Sequence, residues 1–397
     1  MLALENYEGR EQTFVKHFVL EQYLERLAWK IGYRGCTLTY VDCFAGPWKS
    51  GNEQLQDTSP FIALNKLREA QKQLASQKAG PLRLRALFIE EKSTSATALK
   101  NALDLEFPKI ETKVLRGKFE DVRQDVAKFC ASSGTTDFTF YFVDPTGWTG
   151  YAMDVLAPLV QLSRSEVLVN FMTGHIARFI DLNDEDAERW RSQLFGFPNA
   201  RESWAGLSGM EREERIVETY CNALKQNGKF EHVVSSIVLN PLKDRTHFHL
   251  ILATKSRKGL EVFREVEQKA IPKQELARDE AKNRKKGGAL QQNMFAGAAI
   301  EGSPYVQELR KRYLSKVRAE ITATLTKDRR IAYEVLLVKA LSVPMCGESD
   351  LKNCLKDMRR SGQVEIEGLK PRESAPKADA GHFINWTGPA QQAPANP

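Results

Sequence analysis

Apolar residues at helical spacing open the chain. Phe14, Phe18, Leu20, Leu24 and Leu27 predict an amphipathic helix over 14–29, which also carries Lys16 and His17. A β-branched and aromatic run at 36–41 (CTLTYV) predicts a buried strand. It ends in Asp42 and a loop of small residues with Gly46, Pro47, Ser50 and Gly51. Thr58-Ser59-Pro60 predicts a helix start, a hydroxyl cap with proline in the first turn, running to about Lys72. Further strands are predicted at 82–90, 111–115, 137–143 (DFTFYFV) and 166–171 (EVLVNF). Helices are predicted between them, at 95–105, from after 121 to Cys130, and at 152–162. Strands alternating with helices argue a parallel, doubly wound α/β sheet.

The pattern weakens over 181–210, where Trp190, Phe195, Phe197 and Trp204 lie among charges and glycines. This reads as an inserted lid facing substrate. A helix at 211–227 and strands at 233–239 and 248–254 follow. The short turn NPLKDR between those strands forces an antiparallel pair. Residues 273–286 and 305–324 read as charged helices around a Gly, Ala, Gln and Asn stretch. The remainder reads as a helix at 331–341, a helix from Ser349-Asp350 to 361 and a strand at 362–366, resembling a small winged helix. The expected division is an α/β domain over 1–265, a basic helical segment over 266–330, a winged-helix-like domain over 331–370 and a loose tail over 371–397.

Composition adds little until charge is placed along the chain. The 397 residues are 42% hydrophobic and 27% charged, ordinary for a globular protein. No run approaches the roughly 18 apolar residues of a membrane span, and the first residues lack a signal-peptide pattern. A cytoplasmic location is therefore expected. The six cysteines are widely spaced with no CxxC pair, which favours buried thiols over a disulfide or metal framework. Residues 1–254 carry 31 Lys and Arg against 33 Asp and Glu; residues 255–330 carry 19 against 10; residues 331–397 carry 8 against 8. The whole positive excess sits in one segment. That is expected either of a phosphate-facing surface, with Lys282, Arg284, Lys285, Lys286, Arg310, Lys311 and Arg312 as its contacts, or of a solvated helical face.

Two strand-end acids carry the candidate chemistry. Asp42-Cys43-Phe44-Ala45-Gly46-Pro47-Trp48 keeps the Asp, Phe and first Gly of the methyltransferase pattern Asp-x-Phe-x-Gly-x-Gly, with Trp48 at the second Gly. Glu90 closes the second strand, where a carboxylate can accept both hydroxyls of a ribose. The chain between Asp42 and Glu90 is far longer than the usual stretch of about 20 residues, so that crossover holds an insertion. Phe119 and Asp121 follow the third strand, placed to stack on and hydrogen-bond an adenine. Asp144-Pro145-Thr146-Gly147-Trp148 follows the fourth. Amino-methyltransferases use an Asp/Asn-Pro-Pro-aromatic loop whose acid accepts from an exocyclic amine and whose ring stacks on a flipped base. Asp144, Pro145 and Trp148 are the candidates here. Each feature also has a plain reading: a strand-to-helix turn without ligand, a surface acid, a loop tryptophan packed on the lid. Asp42, Glu90 and Asp144 around a metal, as in a nuclease, is a weaker idea. His247 and His249 share a strand face, but no third metal ligand is in view. The P-loop and nucleophile-elbow patterns are missing.

Lys16-His17, Tyr40 through Pro47, Ser59-Pro60, Phe88-Ile89-Glu90, Asp144 through Trp148, Asn170-Phe171 and Thr254-Lys255 together resemble the three-Cys-motif partner protein family. The likeness covers about residues 12–265. Members usually read Asp-Gly-Phe-Ala-Gly-Pro-Gly and Asp-Pro-Phe-Gly-Trp at the two loops; this chain has Cys43, Trp48 and Thr146 instead. The resemblance implies a Rossmann-like methyltransferase fold, a parallel sheet closed by an antiparallel hairpin. It implies a neighbouring partner with a three-cysteine motif and a link to DNA repair or phage biology. The expected activity is S-adenosylmethionine-dependent methylation of a nucleic-acid base, DNA more than RNA, at an exocyclic amine. Asp42, Phe44, Ala45, Gly46, Glu90, Phe119 and Asp121 would hold the cofactor, with Lys16 near its carboxylate. The alternative is a non-catalytic nucleic-acid-binding partner with a degenerate cofactor site.

Overall fold

The computed structural model describes residues 2–46, 57–77, 80–132, 137–145, 150–174, 176, 180, 182, 184–285 and 302–388. Helix α1 (Glu11–Gly32) leads into β1 (Thr37–Asp42), α2 (Ser59–Ser76), β2 (Arg83–Glu90), α3 (Ser93–Glu106), β3 (Glu111–Arg116), α4 (Phe119–Ala131), β4 (Phe138–Val143), α5 (Met153–Val160) and β5 (Ser165–Phe171). Then come α6 (Glu185–Phe195), α7 (Gly209–Gly228), the hairpin β6 (His232–Leu239) and β7 (Thr246–Thr254), and the long helices α8 (Arg257–Lys285) and α9 (Pro304–Asp328). The seven strands form one sheet in the order β3-β2-β1-β4-β5-β7-β6. All neighbours from β3 to β5 pair in parallel, and β7 runs antiparallel to both β5 and β6. This is a mixed α/β, mostly parallel sheet flanked by helices, compatible with a Rossmann-like fold.

Parallel strands buried on both faces need near-continuous apolar runs, and β1, β4 and β5 supply them, enclosed along almost their whole length. One face is covered by α1, α2, α3, α8 and α9, through residues such as Leu20, Leu24, Leu64 and Phe263. The other is covered by α4, α5, α6 and α7, through Val126, Leu156, Phe195 and Tyr220.

Four expectations change. The 181–210 segment is not a stretch of substrate-facing rings: Phe195 and Trp204 are buried in the second core, with ring centroids 5.2 Å apart. Of the four rings Phe197 is exposed, at 39%, and Trp190 is half-buried. The boundary at 265 falls inside α8, a single helix whose apolar face packs on α1. The tail from 371 is not all loose: β10 (Phe383–Trp386) lies between β8 (Arg330–Ala332) and β9 (Val364–Glu367) as the middle strand of a three-stranded antiparallel sheet. Its Phe-Ile-Asn-Trp alternation was masked by the Pro- and Ala-rich composition around it. Finally, Thr58 holds the N-cap position of α2 without a side-chain capping bond, although Pro60 does sit in the first turn.

The C-terminal sheet packs with α10 (Tyr333–Ser342) and α11 (Glu348–Arg360), and this unit has no core of its own. Tyr333, Leu336, Leu355 and Ile384 join the same apolar cluster as Leu20 and Phe263. The junction is fixed by a buried ion pair. Arg264 on α8 donates to Glu267 at 2.7 Å, to the Ser235 carbonyl of β6 at 2.9 Å and to the Leu341 carbonyl of α10 at 2.7 Å. Glu267 in turn accepts from the Met345 backbone N–H at 3.0 Å.

Candidate functional site

Parallel strands deliver the residues that follow β1 to β4 to one edge of the sheet, as the sequence predicted. A cleft of about 440 Å³ opens there, lined by Cys43, Phe44, Gly46, Glu90, Lys92, Phe119 and Pro145 among others. Backbone bonds carry the sheet order into its walls: Cys43 N–H donates to the Phe142 carbonyl at 2.9 Å, and Ala45 N–H to the Ile89 carbonyl at 2.8 Å. Phe44 and Phe119 meet edge to face with centroids 5.4 Å apart. Gly150 has φ +92°, and a Cβ there would overlap the Phe44 ring. Glu90 is 3% exposed, and its Oε1 accepts from Lys92 N–H at 2.6 Å. No described residue donates to its Oε2.

Not every predicted residue reaches the cleft. Ala45 is fully enclosed and contributes backbone only. Asp121 is exposed on the first turn of α4, away from the lining. Asp42 is fully buried beneath the loop. Its Oδ1 accepts from Phe44 N–H at 3.2 Å; its Oδ2 accepts from the Ser59 hydroxyl at 2.7 Å and the Tyr40 hydroxyl at 3.3 Å. Asp42 therefore shapes the loop from below and touches no ligand space. Burial pushes its carboxyl up to about 7 despite the Ser59 and Phe44 bonds, and the Asp144 charge adds to the rise. Ser59, the first residue of α2, thus ties the start of that helix to the end of β1.

Lys16 departs most clearly from expectation. It forms an ion pair with Asp144, linking α1 to the end of β4. Asn170 at the end of β5 donates from Nδ2 to Asp144 Oδ1 at 2.7 Å. Both carboxylate oxygens thus have donors, and the pair is largely enclosed, with side-chain exposures of 11% and 16%. Beside it, His17 accepts or donates at 3.0 Å to the Tyr7 hydroxyl, and burial holds its imidazole pKa well below the usual value. Sequence reasoning gave Asn170 and Ser59 no chemical role. The available signal for Asn170 was a carboxamide inside an otherwise apolar strand. Among the described residues, no group of three or more His, Cys, Asp or Glu can hold a metal, so the three acids do not form a nuclease-like cluster. Trp148 and Lys286 lie outside the described residues.

The basic segment is largely engaged within the chain. Arg284 pairs with Glu11, Arg310 with Asp350 at 2.8 Å, Arg312 with Glu214 at 2.9 Å, and Lys282 with Asp244 at 3.5 Å. Of the seven bases, Lys285 and Lys311 are exposed and make no ion pair among the described residues.

Fold and site together define an α/β protein with a polar-floored cleft at the carboxyl edge of a parallel sheet, in which no helix described is long and apolar enough to cross a membrane. No protein-family model matches the chain, and no curated protein matches it.

Proposed function

We propose that the protein is an S-adenosylmethionine-dependent methyltransferase acting on an exocyclic amine of a nucleic-acid base. The observation that carries this reading is the Glu90 carboxylate in the floor of the cleft, buried and with Oε2 free of bonds from the described residues. A ribose diol needs such an acceptor. Phe44 and Phe119 give an apolar wall for an adenine, and Gly46 permits close backbone approach. The parallel sheet closed by the β6–β7 hairpin supports the same reading. When bound, the cofactor would supply an electrophilic methyl group on sulfonium. Asp144, held by Lys16 and Asn170, would accept from the target amine and orient its nitrogen. Such a transfer depends on alignment more than on a strong base.

The C-terminal unit supports nucleic-acid contact through a winged-helix-like arrangement: α10 and α11 are joined by a short turn and followed by antiparallel strands, and Lys356, Arg359 and Arg360 are exposed on α11. A partner protein with a three-cysteine motif remains part of the proposal on the loop resemblances alone. A second reading, a nucleic-acid-binding protein with a degenerate site, is favoured by one observation: Lys16 and Asn170 already occupy both oxygens of Asp144.

Calorimetric titration with S-adenosylhomocysteine separates the two. The expected result is saturable binding that Glu90→Ala weakens at least about tenfold, the value of hydrogen bonds to a charged acceptor. Absence of heat at millimolar ligand overturns the methyltransferase reading and leaves the second.

A further inference from the structure

A second cavity opens on the same edge of the sheet, at the end of β5 and the start of β7. Its volume is about 470 Å³, within the range of ligand sites. It lies on the opposite sheet face from Lys16 and Asn170. Phe171 and His249 are directly paired and so share a face, and His249 bonds to Glu213 of α7. Thr173, Arg212, Arg245, Thr246 and His247 line it.

We propose that this cavity holds a backbone phosphate of a bound nucleic-acid strand, gripped by Arg212 and Arg245. Two guanidinium groups arrive from different elements, α7 and the β6–β7 turn, and Thr173 and Thr246 share the lining, the Thr246 hydroxyl bonding to Glu213. Guanidinium forks and hydroxyls are the donors that fit phosphate oxygens. One carboxylate, Glu213, also lines the cavity, and it is tied to His249 Nε2 at 3.0 Å. Arg245 is exposed and makes no ion pair among the described residues. Most of the bases that the sequence nominated for phosphate contact already have acidic partners, so their charge is answered inside the chain. The first turn of α7 adds backbone donors at the rim, since Ser208 makes no side-chain capping bond there.

The spacing also fits a strand. From β4, which leads into the cleft, to β7 is two strand intervals, or roughly 10 Å. Neighbouring phosphates along a strand lie further apart than the roughly 3.4 Å axial rise of a duplex, so one or two nucleotides cover that lateral distance. A strand that crosses the carboxyl edge of the sheet, with one base at the Asp144 side, would place a nearby phosphate between Arg212 and Arg245. The proposal rests on the nucleic-acid half of the function above and is independent of methyl transfer.

The test is fluorescence anisotropy of the full chain with a labelled single-stranded oligonucleotide, without cofactor, over a salt series. Arg245→Gln, the double variant Arg212→Gln with Arg245→Gln, and a control, Lys109→Gln, exposed ahead of β3 at the opposite edge of the sheet, are compared with wild type, each checked for unchanged melting. Arg212 also has a partner within the chain, so Arg245→Gln carries the test if the double variant unfolds. The expected result is binding weakened about tenfold by Arg245→Gln and further by the double variant. The slope of log affinity against log salt should fall by about 1.4 in the double variant, about 0.7 per contact. Lys109→Gln should stay within twofold. Equal affinity and slope in wild type and Arg245→Gln overturns the proposal. Inorganic phosphate competing as tightly as the strand reduces the cavity to a free-anion site and overturns the strand assignment. Failure of wild type to bind any oligonucleotide overturns both this proposal and the nucleic-acid half of the function, while homocysteine-derivative binding reports separately on the cofactor half.

Discussion

Replacing Asp42 with Asn should make the protein more stable at neutral pH than at acid pH, relative to wild type. Asp42 is fully buried, and burial raises its carboxyl from 3.8 to about 7. In the unfolded chain the same group titrates near its ordinary value. Between those two values the folded protein keeps a proton that the unfolded chain has released. The folded state then binds more protons, so stability falls as pH rises through this window and levels off above it. Below about pH 4 both states are protonated and the penalty vanishes. The slope for one group is about 1.4 kcal/mol per pH unit, so from about pH 5 to about pH 6.5 wild type loses about 2 kcal/mol through Asp42. Asparagine does not titrate. Its amide oxygen can still accept from Phe44 N–H, and its NH2 can donate to the Ser59 hydroxyl, whose proton rotates freely. Urea unfolding followed by tryptophan fluorescence at the two pH values gives four stabilities. The difference between Asp42→Asn and wild type should grow by about 2 kcal/mol from the lower to the higher pH. Glu166, also raised by burial, is common to both proteins and cancels. A difference that is the same at both pH values refutes the buried, proton-holding state of Asp42.

Two further perturbations test the fold around the site. Arg264→Met leaves Glu267 buried and unpaired and should cost about 3–5 kcal/mol, whereas adding Glu267→Leu should recover part of that loss; urea unfolding of the two singles and the double checks this, and additive losses sink it. Gly150→Ala forces a side chain into positive φ and into the Phe44 ring, so it should cost about 1–3 kcal/mol; a melting temperature equal to wild type would show that the loop relaxes freely.

The layered α/β plan was readable because each buried strand is a continuous apolar run. Phe138–Val143 cannot be partly solvated, and its neighbours alternate with helices of adequate length. The acids at strand ends were equally visible, since Asp42, Glu90 and Asp144 each follow such a run. What each acid faces was not. Asp42 points down to Ser59 because α2 packs against the start of its loop, a tertiary fact. Asp144 meets Lys16 across 128 positions of sequence, and no periodicity encodes that. The basic segment misled for the same reason. A count of charges sees Arg310 and Arg312, but not Asp350 and Glu214, which fold onto them from distant elements. Phe383–Trp386 was lost because a four-residue strand carries too little pattern to outweigh its surroundings.

The packing of α1 on α8 has a consequence for how the chain is made. During synthesis α1 leaves the ribosome first, and β1 to β5 follow with a sheet face for it to lie on. Its outer side has no cover until α8, which starts at Arg257, has emerged. The strand that closes the sheet, β7, comes just before it. A nascent chain carrying every acid of the cleft therefore still exposes an apolar helix flank, and translation must pass the middle of the protein before that flank is hidden. A chain stopped before Arg257 would therefore leave more of the apolar face of α1 in water than the full chain does.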